Sequence, residues 1–147
     1  MDSLLHSTAA CIALSAASLF FQAGLLTGLW KYLCMRRHPQ AEAPHYVHVA
    51  HRAALMYAFS AQLLAVFAAL SAFPDWINTL AVIPPLLFFA IAIVHYVQLG
   101  RTTLSNNAMR DSADRNQDYR ILNTLAVAEI GGFSVLLAGF FSRLFMG

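Results

Sequence analysis

The chain has 147 residues, of which 59% are hydrophobic and only 11% are charged, and its net charge is +2. A soluble domain needs more charged residues to cover its surface, so this composition excludes an ordinary soluble globular protein. The small net charge, and the aspartates that dilute the basic segments, also give no electrostatic basis for binding nucleic acid.

Four long apolar stretches follow one another, and each is long enough to cross a bilayer as a helix, which takes about 20 residues. The first three contain no Asp, Glu, Lys or Arg, and the fourth contains one carboxylate, Glu129. Strands of a membrane barrel would be about half as long and would alternate in polarity. We therefore predict an all-α integral membrane four-helix bundle, a single domain over residues 1–147 with helices at about 8–34, 45–73, 76–100 and 119–145.

The predicted first helix carries Gly24 and Gly28, a small-residue spacing that permits close approach of another helix. This spacing is common, and packing within the bundle is its simplest interpretation.

The segment HYVHVAHRAALMY, residues 45–57, opens the second helix with three histidines spaced three apart. Such positions cover an arc of about 120°, so His45 and His51 cannot both aim at one small ion, although His48 with either can. Zinc usually takes three or four protein ligands and a di-iron centre several glutamates, which this segment does not supply. A haem needs one axial histidine and a flat apolar pocket, which suits these helices. The alternative is that the histidines only meet water and lipid headgroups.

Polar side chains in the third and fourth helices are functional candidates, because ionisable groups are expensive in lipid. His95 and Tyr96 lie at the depth of His51 and Tyr57, since the third helix ends on the side where the second begins. We therefore predict a polar cluster in that half of the bundle. Glu129 in the fourth helix either contacts a proton or ligand, or makes an interhelical hydrogen bond that fixes packing. Within the third helix, two consecutive prolines at 84 and 85 are expected to cause a kink.

Basic residues are concentrated at one end of the predicted bundle. All but Arg143 of the nine Lys and Arg residues flank the loops between the first and second helices and between the third and fourth. By the positive-inside rule, both long loops of this multi-pass, lipid-embedded protein are expected in the cytoplasm.

The segment AHRAALMYAF at the start of the second helix resembles the stretch around the haem-ligating histidine of the styrene oxide isomerase family, which are bacterial four-helix membrane proteins. The similarity of layout covers nearly the whole chain. A long first helix ends in a Gly- and Leu-rich segment, a proline-containing loop leads to Ala-His, and a polar Asn-containing loop precedes the fourth helix. With His51 placed on the ligand histidine, Tyr96 falls on the family's active-site tyrosine without a gap.

The resemblance implies a homotrimer in a bacterial inner membrane, with haem b held between subunits and His51 as the axial iron ligand. It implies that Tyr96 faces the substrate side, with His48 and Arg52 near the cofactor. The implied reaction is a Lewis-acid isomerisation of a small apolar epoxide to an aldehyde by ferric haem. The family's active-site asparagine, six residues after the ligand histidine, is replaced here by Tyr57, which is a second candidate catalytic residue and is large enough to fill the pocket.

Two other functions stay open on the sequence. The first is a haem-binding membrane protein without isomerase activity, for haem handling, sensing or electron transfer. The second is a non-haem structural or accessory subunit whose polar groups bind the helices together. Besides the residues already placed on the family's site, Glu129, His95 and Asn107 are the polar candidates for a role inside the membrane.

Overall fold

A computed structural model describes residues 7–102 and 105–146. This part of the chain forms four helices joined by short connections: α1 Thr8–Arg37, α2 His45–Leu70, α3 Asp75–Thr102 and α4 Arg115–Met146. Each helix is long and apolar enough to cross a membrane. The predicted four-helix, all-α architecture is thus confirmed, and the chain is a multi-pass membrane protein.

Helices α2 and α3 form the middle of the bundle. Each contacts the other and both outer helices, whereas α1 and α4 do not contact each other in the described residues. We call the end at which α2 and α4 begin the loop end, and the end at which residues 71–74 join α2 to α3 the turn end. Only 11% of the apolar window of α4 is buried, against 33–39% in the other helices, so α4 presents most of its surface to lipid or a neighbouring molecule.

Alanine dominates the packed interior between α1 and α2. Small side chains let helix backbones approach closely, which is how helices gain van der Waals contact in a membrane without a hydrophobic driving force. Larger buried side chains, among them Phe20, Leu86 and Phe89, fill the remaining space. The buried alanines of these two helices are Ala9, Ala10, Ala13, Ala17, Ala50, Ala54, Ala58, Ala61, Ala65 and Ala68.

Helix α3 continues through Pro84 and Pro85, so the kink expected there does not break it. Neither proline nitrogen can donate, so the carbonyl oxygens of Leu80 and Ala81, four residues earlier, lose their helical partner. The Ala81 oxygen faces Gly132 of α4. A Cβ added at Gly132 would overlap this oxygen and would lie 2.8 Å from Cγ of Pro85. Helix α4 therefore meets α3 at the proline step, where only glycine fits.

Helix α2 ends at Leu70, earlier than the predicted residue 73. The hydroxyl of Ser71 accepts the Phe73 N–H at 3.1 Å, and Nδ2 of the buried Asn78 donates to the Phe73 carbonyl at 3.0 Å. These side-chain contacts satisfy backbone groups that another helical turn would otherwise have paired. The other helix ends differ from the prediction by at most four residues.

The Asp75 carboxylate at the start of α3 binds the start of α1. The Ser7 hydroxyl donates to Oδ1 at 2.8 Å, the Thr8 N–H to Oδ2 at 3.1 Å and the Ala9 N–H to Oδ1 at 3.3 Å. The first N–H groups of a helix have no partner within it, and a carboxylate also complements the positive end of the helix dipole. The contact attaches α1 to α3 at the turn end.

We expect Asp75→Ala to lower the free energy of unfolding by about 1–2 kcal/mol, the usual cost of removing a helix cap. Asp75→Asn keeps one acceptor oxygen, so it should lower the free energy of unfolding by less than Asp75→Ala. The measurement is reversible unfolding in detergent followed by circular dichroism, with Glu42→Ala as a control that removes an exposed carboxylate from a loop. Equal stability of Asp75→Ala and wild type would show that this contact contributes nothing.

Candidate functional site

His51 of α2 lies in a notch on α1 formed by Gly24 and Gly28. Its Nδ1 is 2.9 Å from the Gly24 carbonyl oxygen. Because a carbonyl can only accept, Nδ1 carries the proton and donates it. A Cβ added at Gly28 would lie 2.8 Å from Cε1 of the imidazole, so glycine is needed there to make room for the ring. We call these three residues the His51 notch.

The hydrogen bond to Gly24 determines which nitrogen of His51 is available. With the proton on Nδ1, Nε2 keeps its lone pair. A metal-binding histidine usually donates its other ring N–H to a carbonyl or carboxylate, which fixes the ring orientation and raises the basicity of the ligating nitrogen. The half-buried His51 has this arrangement, so its imidazole is oriented as in a metal-binding histidine.

Basic side chains cluster around His48 at the loop end, one turn before His51. Lys31 of α1 and three residues of α2, His45, His51 and Arg52, lie within electrostatic range of the half-buried His48. We call Lys31, His45, His48 and Arg52 the basic rim. Its positive charge complements carboxylate or phosphate groups, but the rim alone does not define a particular ligand.

A groove beside α2 contains the two candidate tyrosines. It is open, has a volume of about 240 Å³, and its polar lining residues are Arg52, Tyr57 and Tyr96. Tyr57 stacks on Phe89 of α3, with ring centroids 4.4 Å apart and planes at 15°, which restricts its ring. We call this site the tyrosine groove. Its lining residues are Val49, Arg52, Ala53, Met56, Tyr57 and Tyr96.

His51 is not among the described residues that line the tyrosine groove. Because Tyr57 follows it by six residues, the two side chains point about 120° apart around α2, on either flank of the buried alanine face. Within one chain the structure therefore brings Tyr57 and Tyr96 together and places His51 apart from them.

Glu129 is a half-buried residue of α4. It shares a face of α4 with Gly132 and Leu136, which pack into the bundle. Glu129 and Tyr96 both lie within electrostatic range of Tyr57. Within the described part of the chain, Oε1 of Glu129 is buried without a hydrogen-bond partner. Of the four residues predicted to form a polar cluster, the structure brings together Tyr57 and Tyr96, and Glu129 interacts electrostatically with Tyr57.

The remaining two candidates lie outside this cluster. His95 is exposed beside Tyr96, with ring centroids 6.1 Å apart. Asn107 lies in the exposed loop between α3 and α4, where its Oδ1 accepts the Arg110 N–H at 3.0 Å. Its prediction as an intramembrane group is wrong, because the side chain stabilises a turn. The hydrogen bond from Arg110 also lowers the pKa of Asp111 to about 2, so this carboxylate stays ionised at a more acidic pH than an ordinary aspartate.

Tyr46 is a site contact that the sequence analysis missed. Its ring stacks on Tyr96, with centroids 6.2 Å apart and planes at 14°. Its hydroxyl accepts the Ala108 N–H at 2.7 Å, so the loop between α3 and α4 docks beside the tyrosine groove. The only sequence signal was an aromatic residue near a membrane interface, where tyrosine is common for other reasons.

Among the described residues, no group of three or more His, Cys, Asp or Glu side chains is placed to hold a metal ion. No known protein family, curated protein or solved structure matches the chain significantly. The fold and site define a four-helix membrane protein with one oriented histidine in a helix seam and a tyrosine-lined groove on the other flank of the same helix.

Proposed function

We propose that the chain is a haem b-binding membrane protein resembling styrene oxide isomerase, with Nε2 of His51 as the axial ligand. The observation that carries this proposal is the His51 notch, where Nδ1 donates to Gly24 and Gly28 leaves room for the ring. One oriented imidazole suffices for a haem, whereas a free metal ion needs a set of ligands. Arg52 of the basic rim would neutralise a haem propionate, and the His48 imidazole would donate a hydrogen bond to one.

The two flanks of α2 support a homotrimer. In a closed ring, every copy uses one surface to contact a different surface of the next copy. Such a ring can place the His51 notch of one copy against the tyrosine groove of its neighbour, which combines the groups that α2 separates within one chain. It would also cover Met56 and Phe59, each 67% exposed in the single chain. We place this trimer in a bacterial inner membrane, with the loop end in the cytoplasm.

When bound, ferric haem supplies a Lewis acid for the oxygen of a small apolar epoxide. The chain supplies position and hydrogen bonds. The apolar side chains of the tyrosine groove, Val49, Ala53 and Met56, would contact the substrate, and the hydroxyls of Tyr57 and Tyr96 would donate to its oxygen. The Tyr57 ring, held against Phe89, limits the groove width. Conversion of an epoxide to its isomeric aldehyde conserves atoms and electrons, so the protein needs no redox partner.

A haem protein without isomerase activity is the second candidate, and Tyr57 is the observation that favours it. Its ring lines the groove at the position of the family's asparagine and takes up space that a substrate would need. In that case the same notch would hold haem for handling or sensing.

Absorption spectroscopy of the purified protein, with pyridine haemochrome analysis, tests the haem assignment. We expect a Soret band that is lost in His51→Ala and retained in His45→Ala, a matched control at an exposed histidine of the same helix. A wild-type protein that stays colourless after addition of haemin would contradict the assignment and leave the structural or accessory role.

Turnover of styrene oxide separates the two haem functions. We expect Tyr57→Asn, which restores the family's residue and opens the groove, to raise aldehyde formation about tenfold, equivalent to about 1.4 kcal/mol of barrier. Aldehyde formation is followed by gas chromatography with His45→Ala as the control. If neither wild type nor Tyr57→Asn converts the epoxide while both bind haem, the non-isomerase function holds.

A further inference from the structure

Glu129 is the only charged residue between Ile121 and Ser142, and it lies about 21 Å along α4 from the helix start. An ionised carboxylate in the bilayer interior is unfavourable unless it is paired. In the described part of the chain, Glu129 forms no ion pair, and its buried Oε1 has no hydrogen-bond partner. Its carboxyl group is therefore either neutral or paired with a group outside the described residues.

Three tyrosine side chains lie between the surroundings of Glu129 and the loop end. Tyr57 lies about 18 Å from the start of α2, at a similar depth, and has both Glu129 and Tyr96 within electrostatic range. Tyr57 and Tyr96 line the open groove, and Tyr96 stacks on Tyr46, whose hydroxyl meets the loop. Among the described residues, the titratable groups on this side of Glu129 are Tyr57 from α2 and, beyond it, Tyr96 from α3. Helix α1 does not contact α4 in the described residues.

The surroundings of Glu129 toward the turn end are apolar. One turn along α4, Gly132 is pressed against the α3 backbone and Phe133 packs edge-on against Phe67 of α2, with centroids 5.3 Å apart. Phe140 continues this aromatic contact with Phe67 at 5.2 Å. These side chains carry no hydrogen-bonding group, and the acceptor on this side is the backbone carbonyl of Ala81. The polar side chains near Glu129 therefore lie on its loop-end side.

We propose that Glu129 is a proton-binding site that exchanges its proton with the loop end of the bundle through the tyrosine groove. Release breaks the carboxyl O–H bond, leaves a carboxylate and transfers the proton to water admitted by the groove. Uptake reverses these changes, and no electron moves. A hydrogen bond from the Tyr57 hydroxyl stabilises the carboxylate while it is ionised. This proposal does not depend on haem.

Labelling with dicyclohexylcarbodiimide tests the proposal, because this apolar reagent modifies protonated carboxyl groups in apolar surroundings. The carboxyl O–H adds across the carbodiimide and the adduct rearranges to an N-acylurea without a leaving group. The full-length protein is reconstituted in one orientation in vesicles, the pH is set separately on each side, and the α4 peptide is analysed by mass spectrometry. We expect the labelled fraction of Glu129 to fall as the loop-end pH is raised and to be independent of the turn-end pH.

Three variants make the test specific. Glu129→Gln should remain unlabelled. Tyr57→Phe keeps the stacking on Phe89 but loses the hydroxyl, so labelling should persist to higher loop-end pH. Tyr119→Phe, at an exposed position of α4, should match wild type. The proposal would be overturned if labelling did not depend on the loop-end pH, or if it depended on the turn-end pH. It would also be overturned if wild-type protein with native circular dichroism were not labelled at all. Because the labelling needs no haem, a negative labelling result would not affect the spectroscopic test of His51 as a haem ligand.

Discussion

We expect Gly132→Ala to lower the free energy of unfolding by about 2–3 kcal/mol, the upper range for forcing an extra methyl group into a packed site. The new methyl group would overlap the carbonyl oxygen of Ala81 and crowd Pro85. Both obstacles belong to a helix backbone or a proline ring and cannot rotate away, so α3 and α4 would have to separate. This loss of unfolding free energy should exceed the gain of about 1 kcal/mol that replacing glycine by alanine brings in an exposed helix.

Gly131→Ala is the matched control, because a Cβ added at Gly131 meets nothing within 4 Å. The two changes are chemically identical and adjacent on α4, so their intrinsic effects on the helix cancel in the comparison. The measurement is reversible unfolding in detergent followed by circular dichroism. A similar stability of the two variants would show that α4 does not approach α3 closely at the proline step.

The second large effect is expected at the His51 notch, where Gly28→Val should reduce bound haem by at least about tenfold. Even a single methyl group at this position comes within 2.8 Å of the imidazole, and valine adds two branches that cannot turn away from it. The ring would be displaced and its hydrogen bond to Gly24 lost. Removing such a partner of a metal-binding histidine typically weakens the metal site by about 10- to 100-fold.

Leu29→Val is the control for this prediction, since Leu29 is the next residue of α1 and is 55% exposed. Haem content per chain is measured by pyridine haemochrome analysis, and circular dichroism checks that both variants are folded. The haem content of Gly28→Ala should lie between those of wild type and Gly28→Val, because the His51 ring must shift less to accommodate alanine than valine. A folded Gly28→Val with full haem content would mean that His51 does not hold haem from this notch.

The four helices were predictable because the length of an uninterrupted apolar run is a strong constraint in a membrane. Their ends were less so, because they depend on contacts between helices. Helix α2 stops at Leu70 because Ser71 and Asn78 bind the backbone of the following turn. Likewise, the start of α1 is capped by Asp75, which is more than sixty residues away in the chain.

The candidate site was predictable in its residue types but not in its arrangement. Tyr57, Tyr96 and Glu129 stood out because polar groups are costly in an apolar segment, and the structure places them near one another. The contact of His51 with Gly24 and Gly28 could not be predicted. It depends on how far α1 and α2 slide along each other, which the packing of their buried alanines determines. The sequence showed a glycine spacing and a histidine without showing that they meet.

The position of each contact along the chain has a consequence for biosynthesis. The His51 notch uses only α1 and α2, so it can form as soon as the first hairpin has left the ribosome and entered the membrane. The tyrosine groove needs Tyr96 and therefore waits for α3, whose Asp75 also completes the start of α1. Glu129 arrives last, with α4. A nascent chain would thus acquire the His51 notch first, the tyrosine groove second and Glu129 third. A premature stop after α2 would leave a helical hairpin that already contains the notch.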